Sequence, residues 1–206
     1  MTFSKESVDA LKRAVKDRLS EKRFLHTASV ANAAVRLADY CIPEYKDEVE
    51  AAAFLHDITK EYSEQEHINI IKSKKIPLDA EDFESSAILH SFTAPEIIKR
   101  DFSFFATERV LSAVYNHTIG SPDMSLFDEI IFIADFIEDT RTYDSSIKLR
   151  KYVWDNMKYG ELEENVKTIH KACIKAIDFT VINLIENKKR INSKNILTRN
   201  ALLSKI

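Results

Sequence analysis

The sequence predicts an all-α fold, a single helical bundle, on three observations. Apolar residues recur at a period close to 3.6 along nearly all of the 206-residue chain. Only two glycines and four prolines are present, too few for the turns of a sheet or of a strand-helix-strand architecture. Hydrophobic residues make up 45% of the chain, enough to close one core, and no repeat, low-complexity tract or linker divides it.

Each helix has its own signal. Val8, Leu11, Val15 and Leu19 form one apolar stripe, and Val30, Ala33, Leu37 and Cys41 form a second. Pro43 breaks the pattern, and a third helix follows with Val49, Ala52, Ala53 and His56 on one face, so that His56 points inward. Ser63 and Glu66 stand at capping-box spacing and open a fourth. Asp79, after Pro77, is the expected cap of a fifth that carries Phe83, Ala87 and His90 near one face. Thr107 caps a helix with Val110, Ala113, Val114 and His117 at i, i+3, i+4 and i+7, ended by Gly120 and Pro122. Ser125, with Asp128 three residues on, opens the next, which runs Phe127, Ile131 and Asp135 down one face. A long helix follows through Leu162, Val166, Ile169, Cys173, Ile177 and Leu184, and the "KKRINSK" run beyond it is expected to be a solvated basic turn.

Charge and composition exclude several classes of function. With 33 acidic and 30 basic residues the formal charge is -3, so no basic field is available to gather polymeric nucleic acid or anionic lipid. The opening "MTFSKESVDALKR" lacks an apolar leader core, and no apolar run approaches the roughly 18 to 20 residues of a membrane span. Cys41 and Cys173 are too few for a disulfide framework and read as buried thiols of a reducing compartment. A soluble, cytoplasmic protein is the expectation.

The chemistry concentrates in one dipeptide and its relations. "AFLHDITKEY" carries His56 and Asp57 to the end of a greasy segment. A lone pair of this kind is ordinarily a satisfied core histidine beside a capping aspartate. Here, however, His26, His90, His117 and Asp135 also lie on the apolar face or inner end of their helices, whereas His67 sits on a polar face and His170 on a flank. Burying several imidazoles and two carboxylates costs several kcal/mol per unpaired charge, so such groups neutralise one another or hold a metal.

The order His26, His56-Asp57, His90, His117, Asp135 resembles the signature H...HD...H...H...D of the HD-domain metal-dependent phosphohydrolases. The surrounding stretches "RFLHTASVANAA", "AAFLHDITKEY", "ILHSFTAPEI", "AVYNHTIGSPDMSLFDEIIFIADFIEDTR" and "INSKNILTRNALL" are similar to the YqeK family within it, over nearly the whole chain. The resemblance implies one HD domain over 1–206, with a site core at about 20–141 and C-terminal helices over 142–206. It implies an enzyme, a bacterial symmetrical diadenosine tetraphosphate hydrolase yielding two ADP, with iron as the metal. The chain departs from the family pattern at Asp139 and "TYDSSIK", where members often carry proline and then Pro-Gly.

Under that resemblance the residues divide into two tiers. His26, His56, Asp57 and Asp135 are the expected metal ligands, a set suited to iron, manganese, cobalt or zinc rather than magnesium. Four ligands on a six-coordinate ion leave room for water, whose pKa falls toward about 7, and for a phosphate oxygen. Asp57 either orients that water or serves as a ligand alone. His90 and His117 either bind a second ion roughly 3.5 to 4 Å from the first, with Asp57 bridging, or donate to phosphate oxygens as imidazolium, the role the resemblance favours. Lys60, one turn after His56, adds a point charge at the same mouth. Arg141 is the expected bidentate phosphate clamp, with the Thr118 hydroxyl and backbone amides near Gly120 beside it, and Asp135 also borders the substrate. The expected partner is a dinucleoside polyphosphate or ADP, and the quaternary state is open, a homodimer included. Two alternatives remain at this point: an HD-type nucleotidase or phosphodiesterase on mononucleotides or cyclic nucleotides, and a non-catalytic module that senses nucleotides.

Overall fold

A computed structural model describes residues 3–206. Ten α-helices carry the fold, and no strand occurs among the described residues. They are α1 (Lys5–Lys16), α2 (Glu21–Cys41), α3 (Lys46–Leu55), α4 (Glu64–Lys74), α5 (Leu89–Asp101), α6 (Glu108–Asn116), α7 (Leu126–Ile137), α8 (Asp144–Asn156), α9 (Leu162–Glu186) and α10 (Ser193–Leu203). Among the described residues no helix is long and apolar enough to cross a membrane.

The helix starts follow the predicted caps. Ser63 and Ser125 each complete a capping box, with Glu66 and with Asp128, and Thr107 accepts from the Val110 amide. Each such cap is worth about 1 kcal/mol. At the centre lies α7, which packs against α2, α6, α8 and α9. Ile130, Ile131, Ile133, Ala134 and Ile137 are all buried, so this helix is apolar almost all round and must be enclosed by others. Truncating one of its isoleucines, Ile131→Ala, would cost about 2–5 kcal/mol. The enclosure matters to function because α7 delivers Asp135 at its inner end.

Three expectations are corrected. The helix expected from Asp79 does not form there: Asp79 caps a short 3-10 turn over Ala80–Glu84, a second spans Ser86–Ile88, and α5 begins only at Leu89. The cause is a competing demand on Asp82, which is fully buried and accepts bonds from Lys194 Nζ and from Asn192 Nδ2 at 2.8 Å. That anchorage pulls the segment off the helical path at Ser85, which is extended, and leaves Phe83 46% exposed. The same contact corrects the "KKRINSK" expectation at its last residue: Lys188, Lys189 and Arg190 are exposed, but Lys194 is an anchor into the interior rather than a solvated charge. His67 is buried rather than on a polar face, bonded to Thr93 Oγ1 at 2.8 Å, because the His67–Ile71 face of α4 turns toward α5.

Candidate metal centre

Five helices bring their ends to one point. The buried run Ala51–Leu55 holds α3 in the core, and the helix stops so that His56 is its C-cap and Asp57 begins the following turn. His117 is likewise the C-cap of α6. Both histidines point Nδ1 back at the carbonyl three residues earlier, His56 to Ala53 at 2.6 Å and His117 to Val114 at 2.7 Å. A carbonyl only accepts, so Nδ1 carries the proton and Nε2 turns a lone pair toward the centre. His26 comes from α2, His90 from the first turn of α5, and Asp135 from the last turn of α7.

The donor atoms then close on one another. His26 Nε2 lies 3.1 Å from Asp135 Oδ1 and 3.6 Å from Asp57 Oδ2, and His56 Nε2 lies 3.4 Å from Asp57 Oδ2 and 3.9 Å from Asp135 Oδ1. On the other side, Asp57 Oδ1 is 3.2 Å from His90 Nε2 and 3.7 Å from His117 Nε2, and the two imidazole nitrogens approach to 3.0 Å. Two overlapping donor groups result, His26–His56–Asp135 and His56–Asp57–His117, each with its atoms within 4.8 Å. His26 Nε2 and His56 Nε2 are buried with no properly aligned hydrogen-bond partner. A buried imidazole nitrogen left without a partner is costly, and a cation at that point relieves both at once. The residues therefore fit a divalent metal.

Electrostatics agree with the geometry. Burial works against ionisation of Asp57, but the imidazoles of His56, His117 and His90 packed around it outweigh it and hold the carboxyl well below its usual range. Burial likewise opposes charge on Asp135, and Arg141 and His26 overcome it. His26 is depressed by burial yet raised to about 9 by Asp135 and Glu138. The centre thus concentrates negative charge where a cation belongs. His90 goes the other way: burial drives it down to about 3, against Asp57, and burial lowers His117 as well.

The remaining expected residues reach the site in different ways. Thr118 Oγ1 stands 3.1 Å from His117 Nε2 and 3.3 Å from His90 Nε2, and Lys60 Nζ is 3.3 Å from the His90 ring nitrogens. Arg141 is engaged on Asp135 itself, Nη2 to Oδ1 at 2.6 Å and Nε to the backbone carbonyl, so it holds this carboxylate in place. The Gly120 amide is taken by Asn116 O at 2.9 Å. Glycine is required there because φ is +73° and a Cβ would stand 2.6 Å from the Thr198 methyl of α10. His67 and His170 stay outside the cluster, as expected.

Three functional contacts escaped the sequence reading. Arg23 Nη1 pairs with Asp57 Oδ2 at 2.8 Å, one turn before His26 on the same helix face. Glu138 Oε1 accepts from His26 Nδ1 at 3.2 Å, a carboxylate that fixes the orientation of the His26 ring. Arg150, from α8, binds the carbonyls of Ile137, Glu138 and Arg141 in the turn after Asp135. The spacing of three between Arg23 and His26, and between Asp135 and Glu138, was the available signal for two of them.

Comparison with known proteins bears on the same residues. The HD domain family matches residues 23–139, a span that contains His26, His56, Asp57, His90, His117 and Asp135. The symmetrical bis(5'-nucleosyl)-tetraphosphatase of Bacillus subtilis is 28% identical over 190 residues, covering 92% of this chain and 94% of that protein. The protein of the same name from Halalkalibacterium halodurans is 32% identical over 158 residues, 75% of this chain and 81% of that one. A crystal structure of an HD superfamily hydrolase described as involved in NAD metabolism, from Clostridium acetobutylicum, superposes with a TM-score of 0.81 at 28% identity over the full length of both chains. On this likeness, and on the donor set the structure assembles, the chain belongs to the HD-domain family, in its YqeK branch.

Proposed function

We propose that this protein is a metal-dependent phosphoanhydride hydrolase that cleaves diadenosine tetraphosphate symmetrically into two ADP. The observation that carries the reading is the pair of buried, partnerless Nε2 atoms of His26 and His56 facing Asp57 and Asp135, in a chain whose relatives bear that activity in their names. His26, His56, Asp57 and Asp135 would hold the metal, and iron is the choice that the mixed imidazole and carboxylate set, with the family, favours over manganese, cobalt or zinc. Once bound, such an ion acts as a Lewis acid on phosphate oxygens and lowers the pKa of water toward about 7.

The protein's own groups then divide the work. Asp57 Oδ1, free of the His26 side of the centre, faces His90 and His117 and can orient water or accept its proton. His90, His117 and Thr118 present a polar edge to phosphate oxygens, and Lys60 stands behind His90 to neutralise charge that develops there. Arg141 keeps Asp135 in place while its remaining fork edge borders the substrate. Attack at the second phosphate breaks the central anhydride. The leaving group is ADP, stable as an anion, so no strong general acid is needed. The setting is the cytoplasm, in keeping with two buried cysteines that remain free thiols.

Incubation with diadenosine tetraphosphate and a divalent transition metal, followed by separation of the nucleotides, tests the reading. ADP alone is expected. Equal ATP and AMP would overturn the symmetric grip, comparable turnover of a mononucleotide would make the protein a nucleotidase, and no turnover with any metal would make it a sensing module. One observation favours a second ion: the Val114 carbonyl fixes His117 with Nε2 as a lone pair, the form a metal ligand takes. Counting ions per chain decides between one and two.

A further inference from the structure

His90 and Lys60 also border a pocket of about 250 Å³ that none of the roles above uses. His90 Nε2 stands 3.2 Å from Asp57 Oδ1, and Lys60 Nζ stands 3.3 Å from both His90 ring nitrogens, so these two side chains form the step between the metal centre and the pocket. Beyond that step the lining changes character. Tyr62 and His67 bring their rings together at 6.0 Å with planes 30° apart, and exposed Glu64, the first residue of α4, stands with them. His67 is 3% exposed and held in one orientation: Nδ1 lies 2.8 Å from Thr93 Oγ1, whose hydroxyl donates to Leu89 O at 3.2 Å. A helical threonine that donates to the carbonyl four residues before it accepts from Nδ1–H, which leaves the Nε2 lone pair of His67 for a ligand donor.

We infer that this pocket receives the nucleoside of the leaving half of the substrate, with Tyr62 and His67 against the adenine, Glu64 on the ribose, and Lys60 under the phosphates that cross from the metal centre. The assignment rests on the tetraphosphate reading above. Charge develops on the leaving diphosphate as the central anhydride breaks, so the cation that meets it belongs between the metal centre and the leaving nucleoside, where Lys60 stands. The pocket beyond Lys60 disfavours phosphate, because Glu64 would face it with like charge. A neutral nucleoside uses every group there: the aromatic wall takes the flat base, the Nε2 lone pair takes its exocyclic amine, and the carboxylate accepts from ribose hydroxyls. The volume, just below the roughly 300 Å³ at which small-molecule sites begin, suits one nucleoside and no more.

Calorimetric titration of the metal-loaded protein with two probes tests this: ADP, and diadenosine tetraphosphate carrying a methylene group in place of the central bridging oxygen. ADP reaches the metal with its own phosphates and leaves the pocket empty, so only the dinucleotide reports on it. Tyr62→Ala is expected to weaken the dinucleotide about tenfold while ADP stays within about twofold of wild type. Glu64→Ala, at an exposed position, is expected to weaken the dinucleotide about threefold, a second route if the Tyr62 variant does not fold. Dinucleotide affinity unchanged in the folded variants would overturn the inference, and so would a parallel loss of ADP. The outcome is separable from the activity. Variants that weaken the dinucleotide as expected, in a protein that releases no ADP from diadenosine tetraphosphate, sink the enzymatic reading alone. Normal turnover by wild type beside indifferent Tyr62 and Glu64 variants sinks the pocket alone.

Discussion

The chain buries two clusters of titratable side chains, and they differ in what they leave undone. Around Glu129, fully buried on α7, every charge is answered. His170 Nδ1 donates to Oε2 at 2.5 Å, Lys205 Nζ donates to Oε1 at 2.8 Å and to Met124 O, and the Cys173 thiol donates to the Glu129 carbonyl. Around Asp57 the histidines crowd together with two Nε2 atoms unanswered. Both clusters contain histidine, carboxylate and a cation, so residue type does not distinguish them. Completeness does: a closed network ties helices together, and an open one awaits a ligand.

The largest effect that sharpens this contrast is expected from Asp57→Ala. It should remove the ion and lower turnover by on the order of a thousandfold or more, the loss of a Lewis-acid contribution of several kcal/mol. Elemental analysis and a rate measurement check it together; a variant that keeps its ion would break the contrast. His90→Ala and His117→Ala should each keep one ion and lose about 10²–10⁴ in turnover. If metal content instead fell as it does without Asp57, both histidines would be ligands and the centre binuclear.

In the closed cluster the expected loss is of stability rather than rate. Glu129→Ala strands buried His170 and unpairs the solvent-exposed Lys205, and should cost about 1–3 kcal/mol, seen as a melting temperature lower by on the order of 5 °C with kcat of the folded fraction retained. A fall in kcat without a fall in melting temperature would tie Glu129 to the chemistry. Glu138→Gln, between the two extremes, should weaken metal affinity about 10–100-fold with the fold intact. The smallest signal is at the thiols. Burial pushes Cys41 up to about 11, so at pH 8 alkylation of the folded protein should run about 100-fold slower than that of a thiol at the usual value, rising tenfold per pH unit until the thiol ionises. Rapid labelling at pH 8 would show that the Cys41 pocket opens.

Much of the fold was legible because its signals are local. Caps at Ser63, Thr107 and Ser125 and the apolar stripes of α1, α2 and α9 depend on neighbours in sequence. The cluster His26, His56, Asp57, His90, His117 and Asp135, which the structure brings to one point, could be picked out from the order of these residues along the chain. What was missed depends on partners far away. The 80–88 segment abandons the helix because Lys194 and Asn192, over a hundred residues later, claim Asp82. His67 turns inward because Thr93 receives it. The pairing of Arg141 with Asp135 depends on a turn folded back on Arg150, and nothing in "TYDSSIKLR" marks that arginine as different from any surface charge.

That turn has a consequence for the timing of events at the site. Arg150 gathers the carbonyls of Ile137, Glu138 and Arg141 on one guanidinium, and Thr140 closes the remaining gap by donating its amide and hydroxyl to Glu138. The segment between Asp135 and its supporting arginine is thus ordered when the chain folds. An arriving substrate does not have to freeze a loop, and the entropy of ordering that segment is lost once per folding event instead of once per turnover.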